Sequence, residues 1–242
     1  MPPRRSAASL RIPSVSGSTL SLPRMTTAMI LLLLRALGET LAMVLASGLI
    51  GLLGGIPLGV ALFVTGPGRL SGHPALHRLL GLVINAGRSI PFLILLVAIV
   101  PFTRLVTGTS IGVPAAIVPL AAGAIPFMAR LVEGALREVP SSLIEAAQSL
   151  GASSRCVIWR VLLPEAMPGV LHGATVTFVT LVNYSAVAGA VGGGGLGDVG
   201  YRYGYQRFDG TVMVVVVVVL IVLVQAIQWL GERLVRTTDR RY

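Results

Sequence analysis

Five stretches of this chain, about 38–64, 79–100, 113–133, 171–191 and 212–231, are long and apolar enough to cross a bilayer. A hydrocarbon core about 30 Å thick needs roughly 20 helical residues to span it. Within that core the chain must satisfy its own backbone polar groups, so the spans are helices and not open strands. Charge agrees: 12% of the 242 residues are charged, against about 25% in a soluble domain. The expected fold class is therefore all-α integral membrane, with five transmembrane helices. The net charge of +10 comes entirely from arginine, spread along the chain and not gathered on one soluble face. It sets membrane orientation and gives no reason to expect nucleic acid. Cys156, the single cysteine, excludes an intrachain disulfide and a multi-cysteine metal site.

The spans carry polar and small residues that ask for a role. Gly51, Gly55 and Gly59 recur at four-residue spacing, a strip that lets another helix approach closely; Pro57 is expected to kink this first span. His73 and His77 sit four apart in the following loop with no third ligand nearby, which reads as a solvated loop and not a metal pair. Arg88 lies inside the second span. An ionisable residue there is a functional hypothesis by default. Since Ser89-Ile90-Pro91 follows, the helix is expected to break, and Arg88 either lines a cavity or snorkels. Arg130, near the end of the third span, is expected to snorkel. In the fourth span Thr177, Thr180 and Tyr184 share one helical face and either line a path or pack against other helices. Residues 192–210 read as a Gly-rich loop. Its GxGxxG match, Gly195 to Gly200, has no preceding strand and is weak. No GxxxxGK[ST] occurs, so no Walker-type ATPase is expected in this chain.

The longest polar interruption, 142–163, has its own plan. Ser142 with Glu145 matches a capping box, Gly151 supplies a left-handed terminator, and Ser153 or Ser154 caps a second helix. Pro164 is expected to end that helix near Leu163. Glu145, Ala146, Ala147, Gly151, Val161, Leu163 and Pro164 resemble the signature loop of ABC-importer permeases, with Val161 where isoleucine is more usual. The resemblance implies a type I ABC importer permease fold whose 142–163 segment is a cytoplasmic coupling helix docking on a separate ATPase, through Glu145, Ala146, Ala147, Gly151, Leu163 and Pro164.

Further stretches narrow the resemblance to permeases of methionine ABC importers: 38–45, 88–96, 125–140, 162–169 and above all 183–208, where a Gly-rich run leads into Tyr201, Tyr203, Gly204, Tyr205 and Gln206. The implied transmembrane domain is 37–228, followed by a basic cytoplasmic tail, 232–242. The implied function is ATP-driven methionine import by alternating access. The path lies at a homodimer interface, with Arg88, Thr177, Thr180 and Tyr184 as candidate lining residues. The implied partners are a second copy, two ATPase subunits, an external methionine-binding lipoprotein and membrane lipid. ATP and Mg belong to the ATPase and no cofactor to this chain.

The implied location is the bacterial cytoplasmic (inner) membrane, N-terminus outside and C-terminus inside. With that topology Arg69, Arg78, Arg137, Arg155, Arg160, Arg233, Arg236, Arg240 and Arg241 face inward. Arg4, Arg5, Arg11, Arg24, Arg35, Arg104, Arg202 and Arg207 face outward. That bias is poor until residues 1–24 are removed, so this Ser/Pro/Arg-rich extension is either disordered or a mis-assigned start ahead of Met25. Two rival readings remain: a permease for another small solute (an osmoprotectant, sulfonate or phosphonate), or a passive channel or membrane scaffold. An intramembrane enzyme is disfavoured, because embedded carboxylates, HExxH and a deep Ser/His pair are not expected, and His172 stands alone.

Overall fold

The computed structural model describes residues 27–67, 70 and 72–238. These residues form ten α-helices and no strand. The expectations for residues 1–24 lie outside them. Helix α1 is Thr27–Val64, 38 residues long; it starts well before residue 38 because the leucine-rich run 30–34 continues the apolar pattern. Pro57 sits inside it without ending it. The glycine strip faces α5, Val113–Arg137. A Cβ on Gly51 would come 2.7 Å from the Cβ of Ala124, and one on Gly55 would come 2.6 Å from the Cβ of Met128. The strip therefore serves close packing of two backbones.

The second span is broken. Helix α2, Pro74–Ser89, and helix α3, Phe92–Ala98, meet at 101°. Pro91 has no N–H and pushes Ile90 into an extended conformation (φ −79°, ψ 124°). Helix α4, Val100–Thr107, completes this limb. Four helical stretches are long and apolar enough to cross a membrane, and a fifth crossing exists if α2 and α3 count as one bent span. His77 Nδ1 lies 2.9 Å from the Leu62 carbonyl oxygen, tying α2 to the end of α1. Among the described residues no group of three metal-ligating side chains gathers.

Helix α5 ends in an ion-pair cluster. Glu133 Oε1 accepts from Arg137 Nη2 (2.6 Å) and Nε (2.9 Å), and its Oε2 accepts from Arg130. Arg130 reaches its carboxylate one turn on, with its own side chain 41% exposed. One expectation is corrected here. The Glu133 side chain, 2% exposed, is an embedded carboxylate. Spacings of three and four residues put all three side chains on one helix face.

Helix α6, Ser141–Ser149, starts at Pro140 with no side-chain cap, so the capping box does not form. Ser142 is already inside the helix, and Pro140 (φ −57°, ψ 130°) sets the entry. The second short helix, α7, Ser154–Val157, does not stop at Pro164. It runs through a wide i→i+5 turn, Ile158–Leu162, into α8, Leu163–Ala188. The wide turn holds Arg160, the residue four before Pro164, whose carbonyl the proline ring would otherwise strike.

Residues 192–210 are mostly helical and not a loop. The chain leaves α8 at Gly189–Gly193, reverses at Gly192 and Gly194 (φ +98° and +85°), and restarts as α9, Gly195–Val199. A wide-turn segment, Gly200–Gln206, follows. The new helix is capped from α1: Glu39 Oε2 accepts from the Gly195 N–H and Thr40 Oγ1 from the Leu196 N–H, both at 2.9 Å. Those bonds satisfy two of the donors a helix start leaves open. Helix α10, Gly210–Thr238, is the least buried of the candidate spans; its valines divide between exposed (214, 217, 218) and buried (212, 216). Residues 232–238, expected as tail, are its last turns.

Among the described residues the core has three larger clusters and a smaller fourth, Leu62, Ile84 and Ala129, where α1, α2 and α5 meet. One joins Phe63, Val132, Leu136, Ile144, Val157 and Leu162. A middle cluster holds Met43, Leu120, Leu181 and Val182. The third, at the opposite end, joins Leu33, Leu196, Val199 and Val216.

Candidate functional site

The polar segment 141–162 is a rigid bracket. Gly151, at φ +79°, ends α6. The Gly151 N–H donates to the Gln148 carbonyl (2.9 Å) and the Ala152 N–H to the Ala147 carbonyl (3.1 Å), the two bonds of a Schellman motif. Ser153 then caps α7, its hydroxyl accepting from the Cys156 N–H at 3.4 Å. Two side chains fasten the bracket to the bundle: Ile144 from α6 and Val157 from α7, both in the cluster with Phe63 and Leu136. Ile144 is the sole buried residue of α6 and Val157 the sole one of α7.

The other face is free. Glu145, Ala146 and Gly151 are exposed, Leu150 is 89% exposed and Trp159 71%. Among the described residues the Glu145 carboxylate has no hydrogen bond or ion pair; only its backbone carbonyl is engaged, by Ser149 Oγ at 2.9 Å. Ala147 is half-buried against the inner cluster. Leu163 and Pro164 stand at the start of α8, the proline exposed. The predicted docking residues thus divide. Glu145, Ala146 and Gly151 present an outward patch, Ala147 helps fasten it, and Leu163-Pro164 marks where it joins a span. An exposed acid on the same segment as exposed Leu150 and Trp159 suits a partner protein that offers a cation and an apolar cleft.

Two of the four candidate path residues share a cavity. Arg88 and Tyr184 line a single cavity of about 120 Å3 together with Phe92, Leu95, Gly123 and Phe127. The Tyr184 and Phe92 rings stack with centroids 4.4 Å apart and planes 3° apart. Thr177 is buried and its hydroxyl donates to the Gly173 carbonyl at 2.8 Å, with Met128 Sδ 3.5 Å away. Thr180 donates to the Val176 carbonyl at 2.8 Å. Neither threonine lines the cavity. Both hydroxyls bond within their own helix, and that of Thr177 also meets Met128 on α5.

Glu39, Thr40 and Glu133 escaped the sequence reading. A signal existed for Glu133 in the Arg130–Glu133–Arg137 spacing. For Glu39 and Thr40 none did, because their partners are backbone amides 156 residues away.

The family described as "Binding-protein-dependent transport system inner membrane component" matches residues 55–240. The chain is 59% identical over 210 residues to the probable D-methionine transport system permease protein MetI of Vibrio cholerae serotype O1, covering 87% of this chain and 93% of that protein. It is 52% identical over 165 residues to the D-methionine transport system permease protein MetI of Escherichia coli strain K12, covering 68% and 76%. Among solved structures, a chain of the MetNI methionine ABC transporter in an inward-facing conformation superposes with a TM-score of 0.88 at 52% identity, covering 89% of this chain and all of that one. A chain of an amino acid ABC transporter crystallised with histidines gives a TM-score of 0.72 at 18% identity, covering 87% and 95%; that likeness concerns the fold alone.

Proposed function

Because the chain belongs to the family of binding-protein-dependent transport system inner membrane components, we propose that it is the membrane-spanning subunit of an ATP-driven methionine importer. The observation that carries this reading is the bracket at 141–162, fastened by Ile144 and Val157, with Glu145, Ala146, Leu150 and Gly151 turned outward. A channel or scaffold has no need of a stiff, outward-facing handle rooted in the core. Methionine as substrate is supported by the high identity to D-methionine permeases over nearly the whole chain.

The handle docks on a separate ATPase, which binds ATP and Mg. Two copies of this chain enclose the path, and an external methionine-binding lipoprotein delivers substrate. The handle side is cytoplasmic, so the C-terminus is inside and the N-terminus outside. The transporting unit is residues 37–228. When the ATPases close, each draws on its handle, and α5 and α8, which meet it at either end, rock as rigid bodies. The path then opens alternately to the two sides.

Reconstitution with a methionine-importer ATPase and binding protein from the same organism tests the reading. Methionine-dependent ATP turnover and uptake are expected. Glu145→Arg, which reverses the unpaired charge, and Gly151→Pro, which cannot adopt φ +79° and loses the N–H to Gln148, should abolish them with membrane insertion intact. Failure to assemble with any ATPase would return the channel or scaffold reading. ATP turnover with no methionine response would reassign the substrate.

A further inference from the structure

Arg88 is the charge that the transport reading leaves without a role. Several other arginines along the bundle have company: Arg35 pairs with Glu39, Arg130 and Arg137 with Glu133, and Arg202 with Asp198. Arg104 donates to Ser110. Among the described residues Arg88 has neither a hydrogen bond nor an ion pair. The residue is exposed, and its position along the bundle makes this matter. A Cβ on the neighbouring Gly87 would come 3.1 Å from Pro126 Cγ, so the end of α2 touches α5 near its midpoint. Gly123 and Phe127, which line the same cavity, flank that midpoint. A bare guanidinium at mid-span persists where it faces a water-filled cavity or meets an anion. The cavity of about 120 Å3 exceeds several-fold the roughly 10–15 Å3 needed to admit a water.

We infer that this cavity is a recognition station for the α-carboxylate of the transported amino acid, with the Arg88 guanidinium as its anion-binding group. The inference rests on the transport reading above. A guanidinium fork binds a carboxylate through two parallel N–H bonds. The remaining walls are Phe92, Leu95, Phe127 and Tyr184, an apolar and aromatic lining that takes an unbranched thioether through sulfur–ring contact. The stacked Phe92–Tyr184 pair offers a ring face to the α-ammonium. Among the described residues no carboxylate lines the cavity. The station therefore takes a neutral, apolar amino acid and offers nothing to a basic side chain.

The test uses the complete complex of permease and ATPase without binding protein, photolabelled by a diazirine analogue of methionine. Label is expected on peptides carrying Phe92–Leu95 or Phe127. N-acetylmethionine, which keeps the carboxylate, should compete, and methionine amide, which lacks it, should compete about tenfold more weakly. Arg88→Gln should lower labelling about tenfold, and Arg88→Lys, which keeps the charge but not the fork, only about threefold. Equal competition by the amide in the wild-type complex would overturn the inference whatever the variants do. So would labelling confined to other segments, or undiminished labelling of an Arg88→Gln complex that assembles normally. A wild-type complex that moves no methionine into proteoliposomes would defeat the transport reading itself. Normal uptake with label elsewhere would defeat only the station.

Discussion

Helix α6 has one buried side chain, Ile144, 8% exposed among Phe63, Leu136 and Val157, with half-buried Ala147 assisting. Ile144→Ala removes three carbons from that contact. Burial of a methylene contributes about 0.8 kcal/mol, and Ile→Ala in cores costs about 2–5 kcal/mol once the cavity is included. The lower part of that range, about 2–3 kcal/mol, applies to a helix that can partly resettle. At about 1.4 kcal/mol per tenfold, local opening of α6 should rise roughly 30- to 140-fold. The spans should not feel it, since no other α6 residue is buried. Hydrogen exchange on the protein in lipid nanodiscs reads this directly: amides of 145–150 should lose protection by that factor while those of α5 and α8 keep theirs. Leu143→Ala, which trims an exposed neighbour, is the control and should change protection little. If Ile144→Ala leaves α6 protected, or Leu143→Ala exposes it equally, the account of Ile144 as main fastener is wrong. Uptake per ATP hydrolysed should fall with protection, because a handle that detaches cannot transmit force.

Thr40→Val should destabilise the fold by about 1–3 kcal/mol, because the buried Leu196 N–H loses its acceptor; thermal unfolding in detergent against a Thr40→Ser control measures it. Glu133→Gln should cost less than the Arg130→Gln/Arg137→Gln double change. The two arginines are partly exposed and can turn to solvent, whereas Glu133 would be left charged and buried; the same melts should rank the two, and a reversed order would refute the reasoning. Gly55→Leu should separate α1 from α5, since even a Cβ would sit 2.6 Å from that of Met128. Its signature is a loss of folded protein on size exclusion, beyond what the exposed Leu53→Ala causes. Gly151→Ala should cost about 1–2 kcal/mol through its left-handed backbone and show as faster exchange at 150–152.

What the sequence made legible was whatever local chemistry dictates. Spans follow from length and hydropathy, the glycine strip from its spacing, the α6 terminator from Gly151, the second cap from Ser153 and the broken span from Ser89-Ile90-Pro91. The misses share a different cause. The Ser142–Glu145 box is a valid local pattern, but Pro140 had already set the helix entry. Pro164 is a valid stop signal, yet a wide turn upstream absorbs its ring. The glycine run at 192–195 reads as loop because glycine disfavours helix, while the restart at Gly195 depends on acceptors from Glu39 and Thr40 on a distant helix. The split of Thr177 and Thr180 from Tyr184 needed the neighbours' positions. Periodicity names the face of a helix but not what lies against it.

The same packing that hid those residues makes a mechanical argument possible. Helices α5 and α8 are in contact along their length. Between them they carry the handle at one end, through Val139 and Leu162, and the cavity further along, through Phe127 and Tyr184. Thr177 meets Met128 midway, and a Cβ on Gly173 would already touch that of Leu131 at 3.0 Å. A pair packed this closely cannot bend continuously under a pull at the handle; it shifts as a unit between discrete arrangements. The far end has no such freedom, because the break after α8 is tied to α1 by Glu39 and Thr40 and to the start of α5 by the Gly112 N–H on the Gly192 carbonyl, 2.9 Å. In the proposed mechanism, motion driven from the handle pivots about that tied end. The displacement then grows with distance from Gly192, and the Arg88 cavity lies between pivot and handle.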